Sequence, residues 1–274
     1  MSVEALKAEK VGCLEDKYLT SRLMGMFLPR IAGEKGADLI NFYNYFRWVD
    51  DVVDEGPMSR DDKKYFMERQ MSITEVVRGN RDELPFNMSK EELDFYNNLN
   101  KDRKLKNEVV TQAWILLSTI KDDINREYIP RTKRELRHYN FRVVLSSVRA
   151  AAMIGNEKEL KEKKEFAEFL QTWTSSASCV DVREDFEKGM VHFPFSEVEI
   201  DKIQKMGISK RKEYIKENMR DKYKEHKNYV VNNMGRQSLS IFGQEEVPLW
   251  QKLFTVATCS TRSCIKVINS SYNI

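Results

Sequence analysis

Residues 43–55 read YNYFRWVDDVVDE, an apolar run in which charged side chains recur at regular intervals. Ile40 and Phe42 lengthen its apolar flank, and Gly56-Pro57 follows directly. Because no Gly or Pro interrupts the run before Gly56, the pattern predicts a buried helix that ends at the Gly-Pro pair. The rest of the chain is organised around this helix.

The polar side chains of this helix share one face. They are spaced four, three and four residues apart, at Tyr43, Arg47, Asp50 and Asp54. At about 100° per residue they fall within a sector of about 40°, whereas Asp51 lies about 100° from Asp50 and is expected to contribute less. Carboxylates in an apolar helix share a proton, pair with a cation such as Arg47, or bind a hard metal ion through oxygen. The alternative is a solvated face on which Arg47 forms an ordinary salt bridge.

A second stretch, residues 174–186, reads TSSASCVDVREDF and repeats the acidic pattern. Asp181 and Asp185 are again four residues apart, and the residues one and two turns earlier, Ala177 and Thr174, are small. The face therefore leaves space above the acids, although close helix packing and a solvated acidic face would explain the same residues. If the two helices face each other, four carboxylates converge and would hold roughly two or three Mg²⁺ ions together with phosphate oxygens.

These two stretches carry a family resemblance. The order Tyr43-x-x-x-Arg47-x-x-Asp50-Asp51-x-x-Asp54 resembles the first aspartate-rich motif of the squalene/phytoene synthase family. Asp181-x-x-Glu184-Asp185, followed by Gly189-x-x-His192-x-Pro194, is similar to the second motif of that family and its tail. Weaker matches lie at residues 20–21, 28–30 and 135–143, so the likeness spans about residues 15 to 200.

The resemblance implies an all-α fold, a single-domain helical bundle of the isoprenoid synthase type around a central apolar cavity, covering residues 1–274. It implies an enzyme in which Mg²⁺ is held by four acids, Asp50, Asp54, Asp181 and Asp185. Tyr43 and Arg47 would be catalytic and would contact the substrate, a prenyl diphosphate. Further substrate contacts are expected from Thr174, Ala177, Tyr139 and Phe141, and other aromatic residues such as Phe42 and Tyr45 are candidates to shield a carbocation.

The second motif departs from the family pattern. Thr174, Ala177 and Val180 stand where the family has Gln, Asn and Arg, and His192 stands where Tyr is usual. In the family that Asn is a metal ligand, a role that Ala177 cannot take. These changes leave the ionisation of a diphosphate in place and favour to some extent an acceptor other than a second prenyl diphosphate.

Three functions remain open. The first is head-to-head condensation of two allylic diphosphates with release of diphosphate, as in squalene and phytoene synthases. The second uses the same ionisation for terpene cyclisation, or for prenyl transfer to another acceptor such as an amine. The third is a non-catalytic helical assembly factor, against which the two intact acid pairs argue.

Composition limits the other classes of function. The chain has 274 residues, 41% hydrophobic and 32% charged, as expected for a globular chain with a sizeable core. A net charge of +3 is too small for a nucleic-acid-binding face, and the four cysteines and three histidines show no zinc spacing. No signal peptide or membrane-spanning apolar run is visible. We therefore expect a cytoplasmic protein with no nucleic-acid partner, and leave open its oligomeric state and a peripheral membrane contact for an apolar product.

Helical periodicity predicts helices at about residues 16–28, 34–55, 60–79, 90–100, 104–127, 133–154, 157–188, 210–234 and 248–269. Three helix starts are marked by Ser59, by Ser89-x-x-Glu92 and by Thr132-x-x-Glu135. Gly235 is expected to be the residue that ends the helix of residues 210–234. No alternation typical of strands stands out.

Overall fold

The structure, a computed structural model, describes residues 34, 37–38, 40–54, 56–101, 106–155, 172, 175 and 182–243. Every regular element in these ranges is a helix: α1 (residues 40–54), α2 (Arg60–Arg78), α3 (Lys90–Lys101), α4 (Lys106–Asn125), α5 (Lys133–Gly155), α6 (Val182–Glu187), α7 (Glu197–Gln204) and α8 (Ile208–Gly243). The prediction of an all-α fold is confirmed. The isoprenoid-synthase type of bundle, its central cavity and the single domain stay predictions, and the helices expected at residues 16–28 and 248–269 lie outside the described residues.

Local capping signals begin these helices as the sequence predicts. Ser59 accepts a hydrogen bond at Oγ from the backbone N–H of Asp62, 3.2 Å away, and caps α2. Reciprocal side-chain to backbone bonds form the two expected capping boxes, at the start of α3 (Ser89 and Glu92) and of α5 (Thr132 and Glu135). Each box satisfies N–H groups that the first turn of a helix leaves without an intrahelical partner.

The last third of the chain differs from the prediction in two places. Helix α7 is additional; it begins with a capping box of Ser196 and Glu199, a signal that the sequence does contain, but it is too short for a clear helical period. The prediction that Gly235 ends a helix is wrong, because α8 continues through it to Gly243. A glycine inside a helix costs only about 1 kcal/mol relative to alanine, which a helix of 36 residues outweighs.

The described residues fall into two compact units. Unit 1 contains residues 34–124 and 147–155, and unit 2 contains residues 125–146 and 172–243. Helix α5 contributes to both units, whereas α1 to α3 belong to unit 1 and α6 to α8 belong to unit 2. The first acidic motif therefore lies in unit 1, and the described part of the second lies in unit 2.

The core of unit 1 is built around α1, as its apolar run predicts. Val49 is fully buried, and Phe42, Tyr45 and Val53 are each 5% exposed or less. The ring of Phe95, on α3, stacks on that of Tyr45 with centroids 3.6 Å apart and planes 4° apart. Burial of an aromatic or branched side chain stabilises a fold by roughly 1.5–3 kcal/mol, so these contacts fix which face of α1 points inward.

The core of unit 2 is packed from α6, α7, α8 and the segment of residues 189–196. Its buried side chains include Phe186, Phe193, Ile203 and Ile215. Two backbone hydrogen bonds fasten the segment to the chain before α5, from Tyr128 N–H to the Gly189 carbonyl (2.7 Å) and from Phe195 N–H to the Arg131 carbonyl (3.0 Å). The tail of the second motif is therefore part of a packed core.

Candidate functional site

The first motif lies on α1, where its arginine joins two of its acids. Arg47 donates from Nη1 to Oδ2 of Asp50 and from Nη2 to Oδ1 of Asp51, both at 2.9 Å. The side chain of Asp50 is 40% exposed, whereas that of Asp51 is 11% exposed. Residues three and four positions apart are neighbours on a helix surface, which explains both contacts. Arg47 therefore neutralises part of the acidic charge.

Asp51 is more strongly engaged than its position on the helix suggests. Its angular distance from Asp50 indicated a weaker member of the motif, but a single guanidinium is wide enough to reach both carboxylates. Since Asp51 is the more deeply buried acid, and a buried carboxylate is stable only when paired, its bond to Arg47 has a structural role. The expectation that Asp51 contributes less to a metal site stays a prediction, and Asp50 is the more exposed of the two side chains.

Asp50 and Asp54 are the acids of this motif that suit a metal ion. They lie one turn apart on α1, and both are partly exposed. Mg²⁺ is commonly bound by one or two carboxylates, with waters and substrate phosphate oxygens as its other ligands. The oxygen donors of this pair therefore fit Mg²⁺ in type and number, and the spacing places Tyr43 and Arg47 on the same face.

Tyr45 fixes α1 against the two helices that follow it. Its ring stacks on Phe95 of α3, and its hydroxyl donates to Oε1 of Gln70 on α2 at 2.9 Å. Burial raises the pKa of the Tyr45 hydroxyl well above its ordinary value, and the nearby charge of Glu92 adds to this effect. The phenol therefore remains a protonated donor within the core of unit 1.

Asp185 of the second motif lies at the end of α6, where the chain turns back. Gly189 has a φ of +85° and closes a Schellman motif: its N–H donates to the Phe186 carbonyl (3.0 Å), and that of Met190 donates to the Asp185 carbonyl (2.8 Å). The turn brings Nε2 of His192 to 3.7 Å from Oδ2 of Asp185. These two side chains are 9% and 17% exposed, so little solvent screens the contact.

His192 belongs to a row of side chains in unit 2. Its ring lies beside that of Tyr139 on α5, with centroids 6.0 Å apart and planes inclined by 34°. The guanidinium of Arg131 lies over the Tyr139 ring, 4.1 Å from its centroid, and Arg131 is only 4% exposed. The row of Asp185, His192, Tyr139 and Arg131 thus connects the second motif to the start of α5.

Sequence reasoning missed the place of Arg131 in this row. It directly follows Pro130 and precedes a capping box, so its signal is that of a helix start. Phe141, expected with Tyr139 to contact the substrate, is 39% exposed and lies about 200° from Tyr139 around α5. The two rings therefore leave α5 on nearly opposite sides, and a substrate contact through Phe141 stays a prediction.

Two further polar side chains are buried in unit 2. Asn140 is 2% exposed and donates from Nδ2 to Oγ of Ser175 at 2.6 Å. His226, on α8, is 6% exposed. Burial, assisted by the electrostatic influence of nearby His192 and Lys133, lowers the pKa of His226 to about 4, so its imidazole is neutral near pH 7.

The structure tests only part of the expected metal site. Asp181, Thr174 and Ala177 lie outside the described residues. Asp50 and Asp54 belong to unit 1 and Asp185 to unit 2. Within the described ranges, no three His, Cys, Asp or Glu side chains form a group that could hold a metal ion. A Mg²⁺ site shared by both motifs stays a prediction.

A surface cleft of about 280 Å³ lies elsewhere in unit 1. Residues of α2 and α4 line it, among them Glu68, Met71, Trp114 and Lys121. Glu68 and Lys121 form an ion pair of 3.2 Å. Because no residue of the first motif lines this cleft, it gives no support to a substrate cavity at that motif.

Comparison with known proteins identifies no relative of this chain. No family model, curated protein or solved structure matches the chain. Among the described residues, no helix combines the length and the apolar character needed to cross a membrane.

Proposed function

We propose that the chain is a Mg²⁺-dependent isoprenoid synthase that ionises an allylic prenyl diphosphate and joins the carbocation to a second prenyl diphosphate. The observation that carries the proposal is the arrangement on α1, where Arg47 holds Asp50 and Asp51 while Asp50 stays partly exposed. The resemblance of both acidic stretches to the squalene/phytoene synthase family supports the same reaction.

An accessible carboxylate in a fixed direction suits the release of diphosphate. Mg²⁺, when bound, neutralises the charge that develops on the leaving group. A charge-assisted hydrogen bond of 2.9 Å, from Nη1 of Arg47 to Oδ2 of Asp50, fixes the orientation of the Asp50 carboxylate. Asp54 lies one turn further along α1. These two acids would hold the ion from the first motif, as Asp181 and Asp185 would from the second.

The carbon chemistry requires stabilisation of positive charge and exclusion of water. The allylic C–O bond breaks, and its electron pair leaves with the diphosphate. The double bond of the second prenyl chain supplies the electron pair of the new C–C bond, and a proton is lost from the joined product. Tyr43, one turn before Arg47 on the same face, would present its ring to the cation, and the half-buried Tyr139 would help to exclude water.

A second candidate function shares the ionisation and differs in the acceptor. It is terpene cyclisation, or transfer of the prenyl group to a non-prenyl acceptor such as an amine. Ala177 and Val180 favour it, because the amide ligand and the guanidinium of the family pattern are absent at these positions. A non-catalytic assembly factor would predict no ionisation at all.

Incubation with farnesyl or geranylgeranyl diphosphate and Mg²⁺ tests the proposal, with diphosphate release measured and products identified by mass spectrometry. We expect a product that contains two prenyl chains. A cyclic product, or one joined to an added amine, would identify the second candidate function. Failure to release diphosphate from either substrate, with or without the amine, would overturn both and leave the assembly factor.

A matched pair of variants tests the metal assignment. Asp50→Asn should reduce diphosphate release by several orders of magnitude, because it removes a charged oxygen ligand. Asp61→Asn is the control, since Asp61 is a 91% exposed acid of the same unit whose described partner is Lys64 at 3.1 Å. Full activity of Asp50→Asn, or of the wild type in excess chelator, would contradict the assignment.

A further inference from the structure

The backbone that carries His192 is anchored on both sides of the residue. Before it, the Gly189 carbonyl accepts from Tyr128 N–H at 2.7 Å; after it, Phe195 N–H donates to the Arg131 carbonyl at 3.0 Å. Phe193 and Phe195 pack into the core of unit 2 at 1% and 3% exposure. The position of His192 is therefore set by the fold of unit 2.

The side chain of His192 is also held by its neighbours. Its ring lies 6.0 Å from that of Tyr139, and the Arg131 guanidinium lies 4.1 Å from the Tyr139 centroid. A cation over an aromatic face is attracted by the ring quadrupole, and the attraction is strongest where water is excluded, as it is around the buried Arg131. Arg131 thus fixes Tyr139, and Tyr139 limits the orientations open to the imidazole.

The imidazole meets the carboxylate of Asp185. Nε2 of His192 lies 3.7 Å from Oδ2 of Asp185, and the Schellman turn fixes the Asp185 backbone through the 2.8 Å bond from Met190 N–H. This separation exceeds hydrogen-bond length, so the imidazole restrains the carboxylate as a close polar contact and not as a direct hydrogen bond. Partners that orient ligating side chains in this way are a regular part of metal sites.

We propose that His192 is a positioning residue that orients Asp185 for a divalent cation bound together with diphosphate, and that Tyr139 and Arg131 hold His192 for this task. This inference rests on the proposed function, since it takes Asp185 as a metal ligand. The family that the sequence resembles has Tyr at the position of His192, so the imidazole is a departure of this chain from the family pattern.

Binding of Mn²⁺ in the presence of inorganic diphosphate, followed through the electron paramagnetic resonance signal of free Mn²⁺, tests the inference without any turnover. His192→Phe keeps an aromatic ring beside Tyr139 but removes the nitrogen that meets Asp185. His192→Gln keeps a nitrogen at about the reach of Nε2. We expect His192→Phe to weaken Mn²⁺ binding by about 10- to 100-fold, the usual effect of losing an orienting partner, and His192→Gln to stay within about 3-fold of the wild type.

His138→Gln is the control, because His138 is an exposed histidine of unit 2 on α5 and should leave Mn²⁺ binding unchanged. A purely structural role would lower the melting temperature of both His192 variants and leave the Mn²⁺ affinity of the folded protein unaltered, which would overturn the inference. Equal losses of affinity in His138→Gln and His192→Phe, or no Mn²⁺ binding by the wild type, would overturn it as well. Mn²⁺ binding that depends on His192, without diphosphate release from prenyl substrates, would instead count against the proposed function alone.

Discussion

Arg69 and Glu92 meet through two parallel hydrogen bonds, from Nε to Oε1 and from Nη2 to Oε2, each 2.7 Å long. The pair joins α2 to α3, and Glu92 is 2% exposed. The same carboxylate accepts from Nε2 of Gln70 at 2.7 Å and from the N–H of Ser89 at 2.8 Å. Because Gln70 in turn accepts from Tyr45 on α1, one buried acid links the three helices that position the first motif.

Glu92→Gln should destabilise unit 1. Burial alone would raise the pKa of the Glu92 carboxyl, but hydrogen bonds from Arg69, Gln70 and Ser89 outweigh it and hold the pKa below its ordinary value. The charged form is therefore the one that the fold stabilises. Removing the charge should lower the free energy of unfolding by about 3 kcal/mol, measured by denaturant titration near pH 7.

The neighbouring acid supplies the control. Glu91 is exposed in the first turn of α3, so Glu91→Gln should change the free energy of unfolding by no more than about 0.5 kcal/mol. Since the folded pKa of Glu92 is lowered, its contribution to stability is present above pH 4.5 and is lost as the pH falls through the folded value. A Glu92→Gln variant as stable as Glu91→Gln would refute the role of the pair.

Gly189→Ala should disturb the turn that brings His192 to Asp185. The φ of +85° is in the left-handed region, and a Cβ atom would lie 3.2 Å from Cγ of Glu127. We expect a loss of about 2 kcal/mol in the free energy of unfolding, from backbone strain and crowding together. Thermal and denaturant unfolding of the variant would measure it.

Two other glycines separate these contributions. Gly79 has a φ of +80° but no neighbouring atom within 4 Å of an added Cβ, so Gly79→Ala should show the strain alone, at about 1 kcal/mol. Gly207 has neither feature but caps α8, since its carbonyl accepts from Arg211 N–H at 3.0 Å, so Gly207→Ala should cost no more than about 1 kcal/mol. The prediction for Gly189 would be wrong if all three variants unfolded alike.

The fold could be predicted where local rules decide it. The boundaries of α2, α3 and α5 follow from Ser59, Ser89 and Thr132, whose hydroxyls bond backbone groups a few residues away. Gly235 shows the limit of such rules, because a glycine ends a helix only when the chain beyond it packs better in another conformation. Whether a helix continues past a glycine depends on tertiary context as well as on propensity, and no local signal contains that context.

In the candidate site, too, the sequence predicts contacts within one helix but not contacts between segments of the chain. The spacing on α1 places Tyr43, Arg47, Asp50 and Asp54 on one face, and the contact of Arg47 with Asp51, four positions on, is also a local one. The contact of His192 with Asp185 needs the reversal at Gly189, and that of Arg131 with Tyr139 depends on the path of the chain before α5. Contacts of this kind are set by tertiary packing and are not encoded in the periodicity of a single helix.

His226 should make unit 2 sensitive to acid. Its pKa in the folded protein is about 4, against an ordinary value of 6.5, so the unfolded chain binds a proton more readily between these two values. The contribution of neutral His226 to the free energy of unfolding should be fully present above pH 6.5. It should fall by about 3 kcal/mol as the pH approaches 4. Denaturant titrations at several pH values should show this slope, and His226→Gln should flatten it.

Exposed His138 is the matched control for this effect. It is an exposed histidine of the same unit, so His138→Gln shows what the replacement of a histidine outside the core does to unfolding. The difference between wild type and His226→Gln isolates the buried imidazole from the carboxyl groups, which also titrate in this range. Parallel pH profiles for wild type and His226→Gln would show that burial of His226 is not the cause.

The two acids that share Arg47 should separate stability from activity. Asp51 is 11% exposed and Asp50 is 40% exposed at the side chain. Asp51→Asn removes a charge-assisted bond from a shielded pair and should lower the free energy of unfolding by about 2 kcal/mol. Asp50→Asn breaks a solvated contact, whose contribution is at most about 1 kcal/mol, but it removes the charged carboxylate that we assign to Mg²⁺. We therefore expect Asp51→Asn to release diphosphate at a rate within about 10-fold of the wild type below its melting temperature, whereas Asp50→Asn should be folded and inactive.

Unfolding titrations and diphosphate release, measured on the same preparations, would check both expectations. If the two variants lost activity equally while only Asp51→Asn lost stability, Arg47 and both acids would act as one catalytic unit, and the division between a structural and a metal-binding acid would have to be given up.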